Sequence, residues 1–158
     1  MTILRVLTLV GVFCGAVSAQ CAAGSLAVVV NKSNPTESLS MAQLRKLMMG
    51  DVHSWPDQQK VTLIARDPGS AVHKCVLSAV VRMSESEYRR YILNAEFRGE
   101  EPVSMKTADS GTTAGKAVAG SAGSISVVES GTLQTLGDAV KVIRINGKQP
   151  GEAGYPLS

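Results

Sequence analysis

The feature that most limits what this chain can become is the short run Leu26 to Asn31, LAVVVN. Three consecutive valines, stiff about χ1, favour extended backbone. The run is apolar at odd and even positions alike. A strand with one wet face alternates, so a strand that does not alternate is expected to be covered on both faces. The rest of the domain must therefore supply cover on either side of a sheet.

The segments that follow alternate in period. Ser38 to Gly50 (SLSMAQLRKLMMG) reads as a helix with marked ends. Ser40 with Gln43 three places on makes a capping box, Met41, Leu44, Leu47 and Met48 share one face, and Gly50 suits a left-handed stop. Asp51 to Lys60 is a polar loop around Trp55-Pro56-Asp57. Val61 to Ala65 is a second strand, joined by Arg66 to Ser70 to a helix over Ala71 to Arg82. Ser84 with Glu87 opens a further helix expected to turn Tyr88, Tyr91 and Ile92 inward. Val103 to Lys106 is a strand candidate, Thr113 to Ala119 a small-residue helix, and Ile125 to Val128 a strand entered from the turn Gly120 to Ser124. Ala139 to Ile145 alternates like an edge strand ending at Asn146-Gly147. The tail from Lys148 onward is loop-rich. This order predicts an α/β fold, a mostly parallel sheet flanked by helices.

The N-terminus reads as an export signal. Arg5 supplies the positive start, Val6 to Cys14 is a nine-residue apolar run, and Val17 and Ala19 are small residues at −3 and −1 of a cut before Gln20. Nine apolar residues fall well short of the roughly 20 that span a bilayer. Gln20 is unlike the small residue that precedes a lipid-modified cysteine, so Cys21 is not expected to anchor the product. The expected organisation is a signal peptide over 1–19 and one domain over 20–158, periplasmic or secreted, without membrane insertion after cleavage. Arg5 is the one charge of the signal, which leaves 15 of the 16 basic residues against all 13 acidic ones. That balance, with only 4% aromatic residues, gives no basic stripe and few stacking platforms for nucleic acid. Cys21 and Cys75 read either as a pair that oxidises outside the cytoplasm or as an N-terminal thiol and a core residue.

In open sheets ligands lie beyond the carboxyl ends of the strands. That rule singles out Asn31 to Asn34, Arg66 to Ser70 and Asp109 to Thr113. In Arg66-Asp67-Pro68-Gly69-Ser70 a helix start offers free N–H groups, Arg66 a charged fork, Gly69 close backbone approach and Ser70 a hydroxyl, a set suited to an oxyanion. The same residues also read as an ordinary cap with a solvent-facing arginine. Ser110 and Thr112 offer hydroxyls at another helix start, and they too read as caps. His53 and His73 have no partners at metal-ligand spacing, and Ser70 with His73 makes no triad, so neither metal, cofactor nor enzymatic activity is expected.

Val28-Val29-Val30-Asn31 with Asn34-Pro35, Ser38-Leu39-Ser40 with Leu44, Met48 and Gly50, and Trp55-Pro56-Asp57 occur in an order that resembles the phosphate-binding proteins of ABC importers, and their short PBP-like relatives most of all. Met83-Ser84, Phe97-Arg98-Gly99, Pro102, Gly120 to Ser126 and Ile145 to Lys148 extend the likeness over Leu26 to Lys148. The resemblance implies a single lobe of a type 2 periplasmic binding protein, with phosphate or a similar oxyanion at Arg66, Gly69 and Ser70 and more weakly at Ser110 and Thr112. The partner it implies is an ABC importer or another envelope protein. In that family the loop reads Arg-x-Asp-Gly-Ser-Gly-Thr. Here Asp67 stands one place early, Pro68 replaces the aspartate, and Ala71 and Val72 replace the final glycine and threonine, removing one hydroxyl donor. A half-site open to water holds an anion weakly. The departures also fit a non-catalytic protein-interaction or scaffold module that kept the fold without the ligand.

Overall fold

The computed structural model describes Cys21 and residues 23–158. The expected export signal, residues 1–19, lies outside the described residues. The valine-rich run forms β1 (Leu26–Asn31), and the chain continues through β2 (Ser38–Leu39), α1 (Met41–Met48), β3 (Thr62–Arg66) and α2 (Ala71–Cys75). A π-helical stretch (Val76–Val81) prolongs α2, so the single α-helix expected over Ala71 to Arg82 changes its winding half-way. Then come α3 (Glu85–Phe97), β4 (Ser104–Ala108), α4 (Gly111–Ala119), β5 (Ser124–Glu129), two short 3-10 turns, β6 (Val140–Val142) and β7 (Arg144–Ile145).

Five strands form one sheet in the order β4-β3-β5-β1-β6, and β2 pairs with β7 in a small separate ladder. β3 runs parallel to both β4 and β5, whereas β1 is antiparallel to β5 and to β6. Four strands thus point one way and β1 alone is reversed. The sheet is mostly parallel, and its most apolar strand is its one dissenter.

β1 is covered on both faces. Leu26, Val28 and Val30 pack with Leu44 and Leu47 of α1, Val72 and Cys75 of α2, and Val80. Ala27 and Val29 face the other way, onto Ala114 and Val118 of α4. The five apolar residues of β1, Leu26 to Val30, are fully buried, each leucine or valine contributing about 2 kcal/mol of apolar transfer. Both capping boxes form, at Ser40–Gln43 and Ser84–Glu87. Gly50 takes φ +78° after α1, with the Asp51 N–H donating to the Lys46 carbonyl.

Two further expectations are revised. Ala139 to Ile145 is not one edge strand. It breaks at the buried Ile143, and β6 joins the main sheet while β7 leaves for β2. The inward face of α3 is only half-buried, with no residue fully covered; Tyr88 instead anchors the helix by donating to the Met48 carbonyl at 2.7 Å. The tail is loop-rich, as expected, and it enters the core: Tyr155 and Leu157 are buried in the larger core cluster, and the Leu26 N–H donates to the Leu157 carbonyl at 2.8 Å. Cys21 and Cys75 are free thiols. Burial, then a hydrogen bond to the Cys75 thiol, pushes Cys21 up to about 12.

Candidate functional site

β3 and β5 are parallel neighbours with Ile64 opposite Ser126, so their last residues, Arg66 and Glu129, emerge side by side. β4 ends at Ala108 beside Arg66, and the Asp67 N–H donates to the Ala108 carbonyl at 3.2 Å. The next turn starts α4. Three strand ends and one helix start therefore meet at a single edge, where the topology of an open parallel sheet places ligands.

Arg66 is the centre of this edge, and it does not face solvent. Its side chain is 7% exposed, and Nη1 donates to Glu129 Oε2 at 2.7 Å. Its Nε is buried without a partner. A buried guanidinium is costly unless a counter-charge compensates it, and the carboxylate of Glu129 supplies that charge. Partial burial works to raise the Glu129 carboxyl, but the hydrogen bonds from Arg66 and from its own backbone N–H, with the guanidinium charge, outweigh it and hold it below the ordinary range.

Gly111 admits this carboxylate. A β-carbon at 111 would stand 2.7 Å from Glu129 Oε2 and 2.9 Å from Thr132 Oγ1. Only a bare α-carbon lets the first turn of α4, with its partial positive charge, lie against the ion pair. A second carboxylate, Asp109, sits at the same helix start. Hydrogen bonding from Thr113, joined by weaker contributions from Ser110 and the local backbone N–H groups, outweighs desolvation and lowers its carboxyl from the ordinary value.

The other expected residues distribute as follows. Ser110 caps α4: its hydroxyl accepts from the Thr113 N–H at 3.1 Å and donates to Thr113 Oγ1 at 2.9 Å. Thr112 is half-buried on the same turn. Ser70 caps α2, accepting from the His73 N–H at 3.1 Å, while the His73 ring meets Glu85 Oε2 at 2.7 Å. Gly69 is exposed, with open space where a side chain would project. Among the described residues, no side-chain hydrogen bond joins Arg66 to Ser70. Asn31 to Asn34 is not at this edge, because β1 is reversed. Asn31 instead closes the far end of α4, its Nδ2 donating to the Val118 and Ala119 carbonyls at 2.9 and 3.0 Å. Sequence reasoning missed Glu129 and Thr132, and it took in Gly111 only as part of the helix start Asp109 to Thr113. The strand-end rule that selected Arg66 points equally to the carboxylate ending β5, but the pairing of β3 with β5 is needed to see that they meet.

No protein-family model matches the sequence, and comparison with curated proteins finds no match. Solved structures do match. PstS from Borrelia burgdorferi has a TM-score of 0.67 at 13% identity, covering 84% of this chain and 53% of its own. An ABC-type phosphate transport receptor from Vibrio cholerae gives 0.66 at 19% identity, covering 84% and 52%. The fold is that of a single type 2 binding-protein lobe. A phosphate-binding protein from Stenotrophomonas maltophilia gives 0.60 at 18% identity, with 80% of this chain and 40% of its own covered. The lobe thus spans about half the length of the binding proteins it matches. Among the described residues, no helix is long and apolar enough to cross a membrane.

Proposed function

We propose that residues 20–158 form an exported solute-binding lobe that takes phosphate or a similar oxyanion weakly at the carboxyl edge of β3. Arg66 supplies the buried cation, α4's first turn with Ser110 and Thr112 supplies the neighbouring donors, and Gly69 and Ser70 complete the rim. The carrying observation is Arg66 itself: a guanidinium 7% exposed at a strand end beside a helix N-terminus, in a fold whose solved neighbours are phosphate receptors. An ABC importer or another envelope protein is the partner such a lobe would serve. An open, half-neutralised site implies a dissociation constant on the order of millimolar. Calorimetric titration of phosphate into the protein tests this. Saturable heat that disappears in Arg66→Ala supports the reading; no saturable heat in the wild type, or unchanged binding in Arg66→Ala, rejects it.

One observation favours a second reading, a non-catalytic scaffold module. Glu129 already neutralises Arg66, and a fold that has silenced its cation needs no ligand. Recovery of one defined partner from the native envelope, equally with and without phosphate, supports the scaffold over the receptor.

A further inference from the structure

The Arg66–Glu129 pair leaves something undone. A guanidinium presents its donors as a fork that a two-oxygen acceptor satisfies with parallel hydrogen bonds. Glu129 meets Arg66 through one atom pair, Nη1 to Oε2. The Nε, within a side chain more than nine-tenths buried, is left with no acceptor. Native structures rarely leave a buried donor without a partner. Glu129 itself is half-held: its side chain is 37% exposed, it belongs to the last residue of a strand, and a turn of 3-10 helix follows it. The cation is fixed and its counter-ion is the more accessible partner.

Resting on the receptor reading above, we propose that the Glu129 carboxylate is a built-in competitor for the ligand, occupying the oxyanion position on Arg66 until a tetrahedral oxyanion displaces it. The exchange keeps the buried guanidinium compensated throughout. The incoming anion sets one oxygen on Nη1, in place of the carboxylate, and a second on the neighbouring Nη2, making the end-on fork where Glu129 makes a single bond, and it rests against the N-terminal turn of α4. The displaced Glu129 side chain moves to water, where its charge is solvated. Chloride, with no fork of oxygens, cannot make the same exchange. Binding is weak in this lobe because each anion bound must release an internal one and remain near it.

The test replaces Glu129 by Gln and, separately, by Ser, and follows thermal unfolding and calorimetric binding with inorganic phosphate against chloride at matched ionic strength. Both substitutions remove the competing charge and leave Arg66 uncompensated. Each variant is expected to melt below wild type in chloride, to recover in phosphate, and to bind phosphate at least about tenfold more tightly than wild type, a difference of about 1.4 kcal/mol. Equal phosphate affinity in wild type and variants overturns the competitor and leaves the receptor reading intact. No binding by wild type or variant overturns both. Variants unfolded in chloride that phosphate does not restore also overturn the proposal, because phosphate then cannot stand in for the carboxylate.

Discussion

The two ends of the parallel pair β3 and β5 are finished by different physics. At the amino end, the Gly123 carbonyl accepts from the Thr62 N–H at 3.0 Å and from Trp55 Nε1 at 2.9 Å, so one neutral oxygen serves two donors. Trp55 is 4% exposed and part of the core. At the carboxyl end, Arg66 and Glu129 form a charged pair, with Asp109 nearby and a donor left over. The first end is built from neutral groups, though Ser124 Oγ at the start of β5 is buried there without a partner. The second keeps charge under cover and leaves its hydrogen bonding incomplete. The difference between the ends is therefore one of charge, and the charged carboxyl end is where the proposed oxyanion site lies.

The comparison breaks most sharply at Gly123. A β-carbon there would lie 1.9 Å from the Lys60 carbonyl oxygen, and that neighbour is backbone with no rotamer to escape through. Gly123→Ala is expected to cost about 4 kcal/mol or more, or to abolish folding, as read by urea denaturation; a loss below about 1 kcal/mol would mean that the amino edge is not rigid. Trp55→Ala follows, at about 3–5 kcal/mol for the lost aromatic and its cavity. Its unfolding should show no added sensitivity to acid, and a marked one would erase the distinction between the two ends.

Arg66→Ala is expected to cost less, about 2 kcal/mol at neutral pH, since the partly exposed Glu129 turns to water. Its pH dependence sharpens the contrast. Arg66 holds the folded Glu129 carboxyl below its ordinary value of 4.5. The unfolded chain therefore binds the proton first, and the pair's contribution is complete above that value and disappears as pH falls through the lower, folded one. The stability gap between wild type and Arg66→Ala should be constant from pH 7 to about pH 5 and shrink on further acidification. A gap independent of pH down to 3 would show that Arg66 acts by packing alone.

Much of this architecture was legible because it is written in local terms. The unbroken apolarity of Leu26 to Val30 called for cover on both faces, and both cores are there. Ser40 with Gln43 and Ser84 with Glu87 gave two helix starts, since a capping box is closed by atoms three residues apart. Arg66, Ser110 and Thr112 were picked out as candidates by a rule about strand and helix ends. The rule failed at Asn31, because it assumes that every strand points the same way, and β1 does not. Trp55 lay in a stretch that reads as polar loop, and Tyr155 with Leu157 in a tail that reads as loop-rich, yet all three are core.

The sequence by itself determined the order of the main strands and helices, two capped helix starts, the burial of β1 on both faces, and that a cation stands at the close of β3. Those are properties of neighbours along the chain, set by periodicity, caps and turns. Only the tertiary structure decided that β1 runs backwards, that the tail closes the core, and that Arg66 is partnered. Glu129 lies 63 residues from Arg66, and no local pattern reports strand order across such a distance. The charge that governs this site is brought there by the pairing of β3 with β5, and by the missing side chain at Gly111 that lets a carboxylate rest against α4.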